Sequence, residues 1–202
     1  MKIEEIISEV QRSLGVEVDG RPGPETWGAI YKRIVRRSAA ATSPASTIDP
    51  VDTRSEKVIS TLLPPVRSMA RALVQKAVLA GIKVKIISGF RTYAEQNALY
   101  AQGRTTAGAV VTNAKAGYSN HNFGIAFDVG VFEGGKYLGE SPKYKAVGVI
   151  GMDLGLEWGG NWKTLVDQPH FQLRPSWAVD MTEKQMLAAL RGLVDGAQPV
   201  YA

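Results

Sequence analysis

The 202-residue chain has no cysteine, which excludes disulfides and thiolate metal sites and leaves any bound metal to nitrogen and oxygen ligands. It has no apolar run long enough for a signal peptide or a membrane span, and it opens on the charged, amphipathic stretch Met1-Lys2-Ile3-Glu4-Glu5. Synthesis in the cytoplasm without membrane insertion is therefore expected. Internal repeats are absent, and histidine occurs only twice, at His121 and His170. The net charge of +5 favours anionic surfaces such as nucleic acid, anionic lipid or a bacterial wall. The only tight basic cluster, Lys32, Arg33, Arg36 and Arg37, has no nucleic-acid recognition motif beside it, so no nucleic-acid partner is expected.

What is present suits a soluble globular protein: 45% hydrophobic and 21% charged residues, in a chain long enough for one good core and a small accessory module. Ile3, Ile6, Ile7, Val10 and Leu14 share a helical face, and Trp27, Ile30, Tyr31, Ile34 and Val35 repeat the spacing after a Gly/Pro turn. Residues 1–38 thus read as a helical hairpin, residues 39–52 as an Ala/Ser/Thr/Pro-rich linker, and residues 53–202 as the main domain. In that domain a helix is predicted over Pro64–Ala80, with Val66, Met69, Leu73, Ala77 and Val78 inward, followed by a strand through Ile82, Val84 and Ile86. Thr92 and Glu95 form a capping box, which places Arg91 at a strand-to-helix corner. A loop over 103–122, a strand over Phe123–Phe132 with a hairpin turn at Glu133–Lys136, a helix over Pro142–Leu154 and a short strand over His170–Leu173 follow. The last helix starts at a second capping box, Thr182 and Gln185, and buries Met186, Leu187, Leu190 and Leu193. The fold class is α+β: a small antiparallel sheet with flanking helices, preceded by the hairpin.

The candidate chemistry lies at the histidines. From Ile125 to Val131 the odd positions are all apolar, whereas the even ones are Gly124, Ala126, Asp128 and Gly130, a bare face with one carboxylate. His121 lies in the loop entering this strand, and His170 opens another after Pro169 forces Gln168 into an extended conformation. His121, Asp128 and His170 could hold Zn2+ and leave a fourth position for water, whose pKa zinc lowers to about 7. Asp167 would take that water's proton and pass it to the leaving amine, and Arg91 would stabilise charge on the carbonyl oxygen. Ser119 is placed to contact substrate or orient a ligand. Each of these residues has an ordinary structural reading alone; their joint spacing carries the reading.

Several segments resemble the zinc peptidases of the D-alanyl-D-alanine carboxypeptidase and dipeptidase superfamily, and within it the L-alanyl-D-glutamate endopeptidases. They are Ser88-Gly89-Phe90-Arg91-Thr92, the run from Glu95 to Thr105, Val111-Thr112-Asn113-Ala114-Lys115, Ser119 to Asp128, and Glu157-Trp158-Gly159-Gly160-Asn161-Trp162 through to Asp167-Gln168-Pro169-His170-Phe171. They span roughly residues 55 to 175 in the expected order. The resemblance implies His121, Asp128 and His170 as zinc ligands, Asp167 as catalytic base and Arg91 as carbonyl-assisting arginine, while Ser119 and Gln96 are the candidate substrate-binding residues. An aspartate base and the Tyr100–Thr105 run favour the endopeptidase branch over the dipeptidases, where glutamate is common. Residues 1–38 resemble part of a peptidoglycan-binding module, through Val10–Gly15 and Asp19–Trp27.

The reading that follows is a monomeric zinc peptidase cutting the L-alanyl-D-glutamate bond of peptidoglycan stem peptides. A phage endolysin is the expected setting, held in the host cytoplasm until release to the wall. The alternatives are a D,D-carboxypeptidase or dipeptidase removing terminal D-alanine, and a non-catalytic wall-binding protein.

Overall fold

A computed structural model describes residues 3–21, 23, 25, 26, 29 and 51–201. The chain divides into two compact units, Met1–Thr47 and Ile48–Ala202. In the first, helix α1 (Ile3–Leu14) carries Gln11, whose buried side chain donates to Asp19 Oδ1 at 2.6 Å and the Arg21 carbonyl at 2.9 Å. Its Oε1 accepts from the Gly20 amide at 2.9 Å, so one glutamine organises the turn after α1. Trp27, Ile30, Tyr31, Ile34 and Val35, the basic cluster at 32–37 and the linker residues 39–50 lie outside the described residues.

The second unit opens with a helix that periodicity does not separate from its successor, α2 (Thr53–Ile59). Asp52, at the end of the segment read as a linker, caps it by accepting from the Ser55 amide at 3.1 Å, and Ser55 Oγ in turn accepts from the Ile86 amide at 3.0 Å. Through this contact α2 satisfies an outward N–H of the edge strand β1 (Val84–Ser88). Helix α3 (Pro64–Leu79) buries Val66, Ala70, Leu73, Val74 and Ala77. Val78, expected inward, is exposed, because it sits about 100° round the helix from Ala77.

Helix α4 (Tyr93–Ala101) begins at the predicted capping box of Thr92 and Glu95. The strand expected from Phe123 starts later. Residues Asn120–Phe123 form a 3₁₀ turn that Gly124 ends in the left-handed region, φ 66°, and β2 runs from Ala126 to Glu133. After β3 (Lys136–Leu138), α5 (Lys143–Asp153), β4 (Glu157–Trp158) and β5 (His170–Gln172), the chain closes with α6 (Glu183–Asp195) on the predicted box of Thr182 and Gln185. Leu193, expected to be buried there, is only partly so, and Met186, Leu187 and Leu190 carry the contact.

The sheet is antiparallel, in the order β1-β2-β5-β4 with β3 also on β2, and the fold is α+β. Its core face presents Ile86, Phe127, Val129, Val131 and Phe171 to α2, α3 and α5. Gly148 and Gly151 let α5 approach closely: a Cβ there would lie 2.4 Å from Trp158 and 2.3 Å from Phe171. Phe123, Ile125, Met186, Leu187 and Leu190 form a second cluster that seats α6.

Candidate metal centre

The sheet register builds the site. On β2, Asp128 stands opposite Ser88 of β1 and His170 of β5. Directly opposed residues of antiparallel strands project to the same face. The row Ser88, Asp128, His170 therefore crosses the sheet on the side away from Phe127 and Val129. His121 comes from the 3₁₀ turn, which is tied to the β1–α4 corner by the Arg91 amide donating to the His121 carbonyl at 3.0 Å.

Three donor atoms converge. His121 Nε2 lies 3.2 Å from Asp128 Oδ1 and 3.3 Å from His170 Nδ1, and His170 Nδ1 lies 3.3 Å from the same Asp128 oxygen. A tetrahedral ion with ligand bonds of about 2.0–2.1 Å separates its ligands by about 3.3–3.4 Å. The triangle therefore fits zinc without rearrangement. The outward nitrogens are also held: His121 Nδ1 is 2.7 Å from the Gly89 carbonyl, and His170 Nε2 is 3.0 Å from Gln172 Oε1. These acceptors leave the lone pairs of His121 Nε2 and His170 Nδ1 facing the centre, as a metal site requires.

The second Asp128 oxygen accepts from Arg91 Nη2 at 3.0 Å. Arg91 also donates to Ser88 Oγ from Nε and Nη2 and to Gln96 Oε1 from Nη1. Four of its five N–H groups are thereby used, which leaves one on Nη1 for the cavity it lines. Burial opposes ionisation of Asp128, yet the two imidazoles hold its carboxyl well below the usual carboxylate range. Burial, the largest single influence on His170, works against its protonation, but the hydrogen bond and charge of Asp128, the bond to Gln172 and the charge of Asp167 together outweigh it and raise its pKa.

Asp167 lies in the β4–β5 loop, half-buried, fixed by its amide donating to Gly159 O at 3.0 Å and its carbonyl accepting from the His170 amide at 3.2 Å. Burial, and then the charge of Asp128, raise its pKa, which makes it a stronger base than an exposed aspartate. A groove of about 1300 Å³ exposes these groups, with Val110, Val111, Tyr118, Trp162 and Leu165 among its walls. The Trp162 ring stands 4.9 Å from that of His170.

Of the residues singled out from sequence, His121, Asp128, His170, Arg91, Asp167 and Ser119 line this one groove. Ser119 ends just before the 3₁₀ turn and makes no side-chain capping bond there. Gln96 stands apart from the groove. It is fully buried behind Arg91, where it accepts from the guanidinium at 3.2 Å and donates to the Ala114 carbonyl at 2.8 Å, so its place is to support Arg91 and the 103–119 loop. Ser88 and Gln172 were not foreseen. The two-residue period of a strand, which puts Gln172 on the face of His170, was the available signal for the latter.

Residues 112–173 match the family model described as D-alanyl-D-alanine carboxypeptidase. The chain is 40% identical over 130 residues to the peptidoglycan L-alanyl-D-glutamate endopeptidase CwlK of Bacillus subtilis (strain 168), an alignment that covers 59% of this chain and 77% of that protein. The crystal structure of the L-Ala D-Glu endopeptidase ChiX of Serratia marcescens superposes with a TM-score of 0.48 at 25% identity, over 64% of this chain and 93% of that one.

Proposed function

The chain belongs to the D-alanyl-D-alanine carboxypeptidase family, in its L-alanyl-D-glutamate endopeptidase branch, and from that premise we propose that it uses zinc to cut the bond between L-alanine and D-glutamate in peptidoglycan stem peptides. It is a metallopeptidase that hydrolyses peptidoglycan. The observation that carries the zinc reading is the near-equilateral triangle of His121 Nε2, Asp128 Oδ1 and His170 Nδ1, with both outward imidazole nitrogens already bonded.

A zinc ion bound there supplies Lewis acidity, polarising an amide carbonyl and bringing the pKa of water to about 7. The chain's own groups do the rest. Asp167 accepts a proton from the attacking water and delivers it to the departing amine nitrogen. Arg91 holds the remote oxygen of Asp128 and keeps one N–H for the negative charge that develops on the carbonyl oxygen. Gln96 fixes the plane of that guanidinium from behind. Ser119 offers a hydroxyl at the groove wall, and Trp162 with Val110 and Val111 shields the reacting amide from bulk water.

The wider setting we propose is a phage endolysin, made in the host cytoplasm and acting on the wall after release as a monomer. The likeness of residues 1–38 to a peptidoglycan-binding module supports action at the wall. Mass spectrometry of muropeptides from wall digested by wild type and by His121→Ala tests the reaction. Products with a new amino-terminal D-glutamate, from wild type only, are expected; release of free D-alanine would show a carboxypeptidase instead.

A further inference from the structure

Gln172 lies two residues along β5 from His170, is 1% exposed, and does not itself line the groove. Its carboxamide is nonetheless fully committed. Nε2 donates to Glu157 Oε2 at 2.6 Å and lies 3.5 Å from Glu183 Oε2. Oε1 lies 3.0 Å from His170 Nε2 and accepts from Asn120 Nδ2 at 2.5 Å. The two ends of a carboxamide differ only in donor and acceptor character, so its neighbours decide which end points where. Two carboxylates on one side admit only the NH₂ end. The oxygen must then face His170, and an oxygen there requires His170 Nε2 to carry the hydrogen. Nδ1 is left with the lone pair that a metal needs.

Asn120 is polarised in the same way. Its Nδ2 donates to Gln172 Oε1 and to Glu183 Oε1, while its buried Oδ1 has no partner among the described residues. Turning the amide over to satisfy Oδ1 elsewhere would set an oxygen against a carboxylate. The unpaired buried oxygen, a costly feature in itself, is what this orientation requires. Asn120 also precedes His121 in the 3₁₀ turn, so its bond to Gln172 joins the two imidazole-bearing segments. Arg174 holds the carboxylates in place by bonding both Glu157 and Glu183, and Glu183 opens α6.

We propose that Gln172 is a positioning residue which, oriented by Glu157 and Glu183, fixes the Nε2–H tautomer of His170 and so couples docking of the C-terminal helix to metal affinity. The proposal rests on the reading that His121, Asp128 and His170 hold zinc. Outer partners of metal-bound imidazoles commonly set affinity by about 10- to 100-fold. Here a carboxamide passes the preference of two carboxylates to the ring, one bond further out than a direct carboxylate partner.

The test measures zinc dissociation constants of the full chain by chelator competition, together with the exchangeable imidazole Nε2–H proton of His170 in zinc-loaded, ¹⁵N-labelled protein. Wild type should show a slowly exchanging, downfield Nε2–H resonance. Gln172→Leu should bind zinc about 10- to 100-fold more weakly and lose that resonance to exchange. Glu157→Gln/Glu183→Gln, which frees the carboxamide to turn while changing only partly exposed side chains, should weaken zinc binding in the same direction and settles the matter if Gln172→Leu does not fold. Zinc affinity within twofold of wild type in a folded variant, with the resonance unchanged, would overturn this proposal alone. A wild-type chain that takes up no zinc would overturn the metal reading and this one with it.

Discussion

Replacing Gly151 by alanine sets two effects of opposite sign against each other. Gly151 lies inside α5, where alanine is favoured over glycine by about 1 kcal/mol. Its new Cβ, however, would fall 2.3 Å from Phe171 Cε1 and 2.7 Å from Cδ1. Carbon atoms rest about 3.5–4.0 Å apart, so the ring or the helix must move by more than about 1 Å. Phe171 has no room to yield: it is fully buried and stacked on Phe127, with ring centroids 5.8 Å apart and planes 17° apart. Overpacking of this kind costs about 1–3 kcal/mol, and the overlap places it near the upper end. After subtracting the propensity gain, net destabilisation should be about 2 kcal/mol, or a fall in Tm of about 4–8 °C in a protein of this size. Phe171 follows His170 directly, so activity should fall as well. Gly192, inside α6, has nothing within 4 Å of the corresponding position beyond its chain neighbours and the helix's own backbone, and Gly192→Ala should stabilise by about 0.5–1 kcal/mol. Urea unfolding with unchanged m-values reads both. A Gly151→Ala protein as stable as wild type, or a destabilised Gly192→Ala protein, would refute the reasoning.

Asp167→Asn should lower peptidoglycan hydrolysis by about 10²- to 10⁴-fold with zinc content unchanged, as measured by initial rates and metal analysis; near-normal turnover would remove Asp167 from proton transfer. Zinc at one hundred times its dissociation constant should stabilise the chain by about 2.7 kcal/mol, a shift that chelator reverses and His121→Ala abolishes in thermal melts. Acid should weaken the fold through Glu56, whose carboxyl is held below its ordinary value chiefly by hydrogen bonding to Arg71 at 2.7 Å. A depressed folded-state pKa means that this stability is fully present above the unfolded value, near 4.3, and is lost as pH falls through the lower folded value. Glu56→Gln should cost about 1 kcal/mol at pH 7 and little at pH 3, read by urea unfolding at both.

The parts of the fold legible in the sequence are those set by local chemistry. The capping boxes at Thr92 and Thr182 each involve a side chain and an amide three residues apart, so the pattern announces the helix start. The alternation from Ile125 to Val131 identifies the buried face of β2 because a strand's period is two whatever it packs against. Helix α2 was not separable: seven residues carry too little periodicity, and its start depends on Asp52 and on docking of Ser55 against Ile86. The late start of β2 turned on Gly124 taking a positive φ, which a glycine permits but does not announce. At the site, the ionisable and metal-ligating side chains were visible as residue types. Their supports were not, since Gly89 O, Ser88 and the Gln172 carboxamide reach them only through strand register and loop closure.

X-ray absorption at the zinc edge of the purified 202-residue chain is the most direct measurement of the central claim. One zinc per chain, four-coordinate at about 2.0–2.1 Å with two imidazole nitrogens and the remaining ligands oxygen, is predicted, with one imidazole lost in His170→Ala. Substoichiometric zinc, or a wild-type coordination shell without imidazole scattering, would contradict it.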